Sequence, residues 1–324
     1  MRPGGPVAAL ALAAWLLTGC LGTTTDSTAP IDIQRPGTWT ALAPMPTARQ
    51  EVAVAELNGQ VFVIGGFGPG AEAVATVEVY DPATDRWETR APLPAATHHA
   101  AAAVVGGRLY VAGGYGGGRV SWTPLRTVYE YDEKRNSWAT RAPLRIARGG
   151  LAMIALGSHL HAVGGAGDSP SNAHEVYDPA SDRWTDAPPM PTGRDHLAAV
   201  AFQGRLWAIG GRTSFVGTQY ATVEIYDPAT DGWATGMPLP VGRGGLAAAA
   251  LGDRLYVFGG EAPFRIFSAN EMYEVAGNRW IAKEPMRTPR HGIGAAVVGD
   301  RIYVPGGGTQ PRYAGTNVNE AYTP

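Results

Sequence analysis

Apolar and polar positions along this chain recur in register. Short apolar runs, such as Val61–Ile64, Leu109–Ala112, Leu206–Ile209 and Leu255–Phe258, close on a glycine pair. The pairs are Gly65-Gly66, Gly113-Gly114, Gly164-Gly165, Gly210-Gly211, Gly259-Gly260 and Gly306-Gly307. Each of the first five is followed by a tyrosine and, seven positions on, a tryptophan: Tyr80 and Trp87, Tyr131 and Trp138, Tyr177 and Trp184, Tyr226 and Trp233, Tyr273 and Trp280. The units repeat about every 48 residues and carry four short apolar runs each, the signature of a propeller blade.

Within a unit the strands are named A to D from the axis outwards. Strand A begins a few residues after a recurrent arginine and holds a small residue in all six units: Ala53, Ala101, Ala152, Ala198, Ala247 and Gly294. Strands converging on an axis need that economy of volume. Turns such as Asn58-Gly59, Gly106-Gly107 and Gly252-Asp253 lead to strand B, as hairpins with positive φ do. Strand C ends at the tyrosine, Asp-Pro-Ala-Thr-Asp (Asp81–Asp85, Asp227–Asp231) turns the chain, and the tryptophan opens strand D.

Two leftovers set the blade count. Trp39 lacks a tyrosine before it and Tyr322 lacks a tryptophan after it. Joining them makes six complete units, with the segment Thr38–Met45 supplying the outermost strand of the last blade and removing an unpaired edge.

The glycine pair, the Tyr/Trp pair and the Pro-Met-Pro-x-x-Arg run (Pro44–Arg49, and in part Met190–Arg194) together resemble the kelch repeat from Trp39 to Tyr322. The resemblance implies an all-β, six-bladed propeller closed by an N-terminal outer strand. It does not imply one function, because kelch proteins include adaptors, glycan-active enzymes and oxidases. The copper-radical oxidases need a cysteine crosslinked to tyrosine. The only cysteine here is Cys20, outside the repeats, which excludes that class and any internal disulfide.

Before the repeats, Arg2 precedes the apolar run Val7–Leu17, too short for a membrane anchor but suited to a signal-peptide core. Leu17-Thr18-Gly19-Cys20 resembles a bacterial lipobox. The expected organisation is a lipoprotein signal peptide at 1–19, a flexible tether at 20–37 rich in Thr, Ser, Asp and Pro, and the propeller at 38–324. Lipid on Cys20 would hold a monomeric domain at the cell envelope, and Leu21 after the cysteine favours an outer membrane. The formal net charge is −2, with no basic run to suggest nucleic acid.

Candidate chemistry is concentrated on one end. The D–A and B–C loops share that end, and the B–C loops vary most. They carry Tyr115, Arg119, Trp122, Arg212, Phe215, Phe264, Arg265, Arg312 and Tyr313, a composition suited to recognising a protein, peptide or glycan. The recurrent Arg49, Arg148, Arg194, Arg243 and Arg290, replaced by Thr97 in the second blade, read as structural donors to backbone carbonyls. Just beyond them the blades differ: Gln50 and Glu51, His98 and His99, Asp195 and His196, His291. Resemblance to kelch sialic-acid epimerases implies an alternative, glycan-active reading with Glu51, His99, Asp195 or His196 as acid–base groups. Glycines at Gly149-Gly150 and Gly244-Gly245 leave this polar ring incomplete, and the span between opposing blades argues against shared coordination of a metal. The expectation is therefore a binding module with no metal and no cofactor.

Overall fold

The computed structural model describes Met1 and residues 37–324; the signal segment and Cys20 lie outside the described residues. Six four-stranded antiparallel sheets surround a common axis. Blade one is Ala53–Leu57, Gln60–Ile64, Val77–Asp81 and Arg86–Arg90; blade two is Ala101–Val105, Arg108–Ala112, Val128–Asp132 and Ser137–Thr140. Blade three is Gly149–Leu156, His159–Ala166, His174–Asp178 and Arg183–Asp186. Blade four is Ala198–Phe202, Arg205–Ile209, Val223–Asp227 and Gly232–Thr235, and blade five is Ala247–Leu251, Arg254–Phe258, Asn270–Glu274 and Arg279–Ala282.

Blade six takes three strands from the end of the chain, Ala296–Val298, Arg301–Pro305 and Asn319–Thr323, and its outer strand from Thr38–Ala41. Trp39 pairs with Tyr322 in the register that Trp87 keeps with Tyr80. The closure expected from the orphan aromatics is present. Its strand is shorter than Thr38–Met45 because the prolines that follow cannot donate to a ladder.

The core lies between blades. Each of the larger apolar clusters joins neighbours; one combines Tyr110 and Val128 of blade two with Leu151 and Trp184 in blade three. Another combines Phe258 and Met272 of blade five with Trp39 and Tyr322 of blade six. At the rim, every outer-strand tryptophan donates its indole N–H to a carbonyl following the previous blade: Trp39 to Glu284, Trp87 to Ala43, Trp138 to Ala91, Trp184 to Ala142, Trp233 to Pro188 and Trp280 to Met237. The aromatics are thus structural, as large amphipathic groups at packed seams usually are.

The glycine pairs form a second seam. The second glycine of each pair donates its N–H to the carbonyl of the arginine position in the following blade, for example Gly114 to Arg148 (3.0 Å) and Gly307 to Arg49 (2.9 Å). A Cβ on Gly113 would lie 2.6 Å from that Arg148 oxygen, so only glycine lets the blades approach. The arginines are fully buried. Arg49 Nη1 donates to the Gly65 and Thr76 carbonyls at 2.7 and 3.1 Å, as expected, and Nη2 also meets the Glu78 carboxylate at 2.7 Å. Equivalent carboxylates are Glu175, Glu224, Glu271 and Glu320. These ion pairs hold the D–A segments rigidly beneath the loops.

Candidate functional site: a charged pocket at the mouth of the channel

Two residues after each arginine position, the backbone crosses the channel mouth with positive φ in all six blades. Gly150, Gly245 and Gly292 occupy it in three blades, Glu51 (54°), His99 (56°) and His196 (51°) in the others. Their backbones form a closed circle of hydrogen bonds: Glu51 N–H donates to Gly292 O, His99 to Glu51, Gly150 to His99, His196 to Gly150, Gly245 to His196 and Gly292 to Gly245, at 2.8–3.0 Å. Glycine adopts this conformation freely, whereas a residue with a Cβ loses roughly 1–2 kcal/mol. Retaining three charged or ionisable residues there, against the glycine solution used next door, makes Glu51, His99 and His196 candidates for function.

Above the circle lies a cavity of ≈ 610 Å³ lined by residues of the D–A and B–C loops. The loops are locked together by bridges such as Gln50 with Phe67, His98 with Tyr115 and Asp195 with Arg212. The floor contains Glu51, whose carboxylate lies 3.2 Å from His99 Nε2 and 3.4 Å from His291 Nδ1. His291 Nδ1 is also 3.4 Å from Glu261, which accepts from Arg212 Nη1 at 2.5 Å. Asp195 and His196 are joined by a 2.6 Å contact behind this floor.

Burial pushes the Glu51 carboxyl up, but His99, His291 and His196 outweigh it and hold the group well below the usual carboxylate range. Burial holds His99 well below an ordinary imidazole against the pull of Glu51, and takes His98 down to about 4. Burial would also lower His291, but the Glu51 and Glu261 carboxylates raise it. At neutral pH the floor therefore offers an ionised Glu51 and neutral His98 and His99, beside a His291 that holds its proton more tightly than an ordinary imidazole.

The walls are aromatic and cationic. Trp122, on the short hairpin Tyr115–Gly117 and Trp122–Pro124, leans over His99 and Phe67 with ring centroids at 4.9 and 5.7 Å. Arg119 stands over the Tyr313 ring at 5.8 Å and Arg312 over the Phe215 ring at 6.0 Å. Among the described residues, neither guanidinium has a carboxylate partner.

Of the residues expected from the sequence, Arg119, Trp122, Arg212, Phe215, Arg312, Tyr313, Glu51 and His99 converge on this one pocket. Tyr115 does not line it: buried, it donates its hydroxyl to the Ala166 carbonyl at 2.8 Å and ties its loop to blade three. Phe264 is exposed on a hairpin tip beside Phe215, and Arg265 stacks over Phe267, both outside the lining. Phe67 and Glu261 complete the site without having been singled out; both directly follow a glycine pair, where their blades' loops turn over the axis. The span across the channel does not separate the histidines, because the circle narrows the mouth: His99 and His196 rings are 4.7 Å apart.

Comparison with known proteins accords with the geometry. The solved structure of YjhT superposes with a TM-score of 0.75 at 18% identity, covering 86% of this chain and 96% of that one, so the likeness is one of fold. The F-box/kelch-repeat protein At1g67480 of Arabidopsis thaliana is 48% identical over 46 residues, 14% of this chain and 12% of that protein's length. The KLHDC2/KLHL20/DRC7 Kelch-repeats domain matches residues 23–211 and the Kelch motif matches residues 193–240. With more than half its length in the first of these matches and six closed blades, the chain belongs to the kelch-repeat family.

Proposed function

We propose that the propeller is a recognition module whose channel-mouth pocket takes a small anionic ligand with a ring-like body, an acidic glycan unit in particular. One observation carries the reading: Arg119 and Arg312, without a carboxylate partner among the described residues, stand beside Trp122, Tyr313 and Phe215 around a cavity of ≈ 610 Å³. That volume suits a small molecule or chain end, while a flat protein partner would need about 800 Å² on each side. Guanidinium forks match a carboxylate, and aromatic faces suit the apolar face of a sugar. Calorimetric titration with N-acetylneuraminate and glucuronate, against galactose and glucose, tests it. Acidic sugars should bind preferentially, and Arg312→Ala or Trp122→Ala should each weaken binding about 10- to 100-fold, the worth of one charge-assisted hydrogen bond or stacking contact. Equal affinity for neutral and acidic sugars would overturn the reading.

A second reading, acid–base turnover of such a sugar, is favoured by Glu51 lying between His99 and His291 on the pocket floor. NMR detection of sugar interconversion, lost in Glu51→Gln with binding retained, supports turnover. Binding without interconversion leaves recognition alone.

The same proposal tethers the domain to a bacterial envelope through lipid on Cys20. Wild type should take up an alkyne fatty acid that Cys20→Ser does not. Absence of label from wild type would contradict the anchor.

A further inference from the structure

The geometry points to a divalent transition-metal site, of the kind Zn²⁺ occupies, formed by Glu51, His99 and His196. These residues, from blades one, two and four, are buried and can each offer one ligand atom within 4.8 Å of the others. Two imidazole nitrogens and a carboxylate oxygen are a ligand set suited to zinc and its neighbours in the first transition row. Ligand atoms held by a tetrahedral ion with bonds of about 2.0–2.1 Å stand roughly 3.3–3.4 Å apart. The 3.2 Å between His99 Nε2 and Glu51 Oε2 is close to that span.

The state of His196 is the second observation. Its Nδ1 lies 2.6 Å from Asp195 Oδ1, which places the ring proton on Nδ1, donating to the carboxylate. The opposite nitrogen, Nε2, is then a lone-pair acceptor; it is buried and has no hydrogen-bond partner. Buried acceptors rarely go unpaired, and a carboxylate–histidine pair behind a metal ligand is the usual way its tautomer is fixed. His99 has a comparable support: its Nδ1 faces His98 Nδ1, so donation from His99 to His98 frees Nε2 as a ligand. A small cavity of ≈ 80 Å³ lined by all three side chains adjoins the circle, room enough for an ion with bound water. The neighbouring group Glu51, Glu261 and His291 is less suited, because the Arg212 guanidinium already neutralises Glu261.

The purified full chain, stripped with chelator and dialysed, would be titrated with Zn²⁺ alone and its metal content measured by inductively coupled plasma mass spectrometry. One equivalent is expected. His99→Gly and His196→Gly should each weaken affinity at least 100-fold with the thermal melt unimpaired, since glycine is the native choice at this position in three blades. Asp195→Asn should weaken it about 10- to 100-fold. His159→Ala, on the opposite end, should leave the stoichiometry at one. Failure to take up Zn²⁺, or one equivalent retained in the His99→Gly, His196→Gly double variant, overturns the site.

Discussion

Arg194 is fully buried, with Nη1 2.6 Å from Glu224 and Nη2 3.1 Å from the Ala208 carbonyl. A buried pair adds little over a well-packed apolar substitute, but breaking one strands the other charge. Arg194→Met should therefore cost about 3–5 kcal/mol, while Arg194→Met with Glu224→Leu should recover much of that; equal melting temperatures for the two would contradict the account. Blade two already holds the double replacement. Thr97 stands for the arginine, and Tyr129 stands two positions before Tyr131, where every other blade has its glutamate. Glu130, displaced by one position, is met instead by Arg141 and Arg108 at 2.7 and 3.2 Å. The repeat thus announced the ion pair, since arginine and glutamate vanish together, yet the sequence reading followed only the arginine to its carbonyls. A related signal lay in Gly150, Gly245 and Gly292. Gly150 and Gly245, read as gaps in a polar ring, instead report together with Gly292 a positive φ that Glu51, His99 and His196 must share.

Among the elements, Thr38–Ala41 shows how far pattern alone reaches. Trp39 and Tyr322 identified each other because an aromatic pair is too large to leave unpartnered, and the structure pairs them with ring centroids 5.2 Å apart. Deleting residues through Met45 would remove the outer strand of blade six, the Trp39 indole bond to Glu284 and its edge contact with Phe258. The expected loss is at least the roughly 3–5 kcal/mol of a large buried aromatic, visible as a melting temperature well below that of a chain beginning at Gly37. Coincident melts would mean the ring does not depend on this strand. The B–C loops were less legible. Their composition marked the recognition end, but whether Trp122 covers the channel or points away depends on its own hairpin and on packing against Phe67 and Tyr115. Phe264 and Arg265, of similar composition, turn outward.

At the scale of the molecule, six blades are joined by three hydrogen-bonded circles: indoles at the rim, glycine pairs beneath the loops, and the positive-φ residues around the mouth. The first two repeat in every blade and are structural. The third departs from repetition only at Glu51, His99 and His196, beneath the pocket. On this reading these departures serve binding at the expense of stability. Replacing all three by the glycine of blades three, five and six tests it most directly, by thermal melting alongside titration with Zn²⁺ and an acidic sugar. Relief of three positive-φ side chains offsets the lost contacts, so the variant should melt at the wild-type temperature or above it and take up no Zn²⁺, while Arg119 and Arg312 still hold the acidic sugar. A melting temperature lowered by about 10 °C or more, several kcal/mol for a domain of this size, together with undiminished Zn²⁺ binding, would contradict the account.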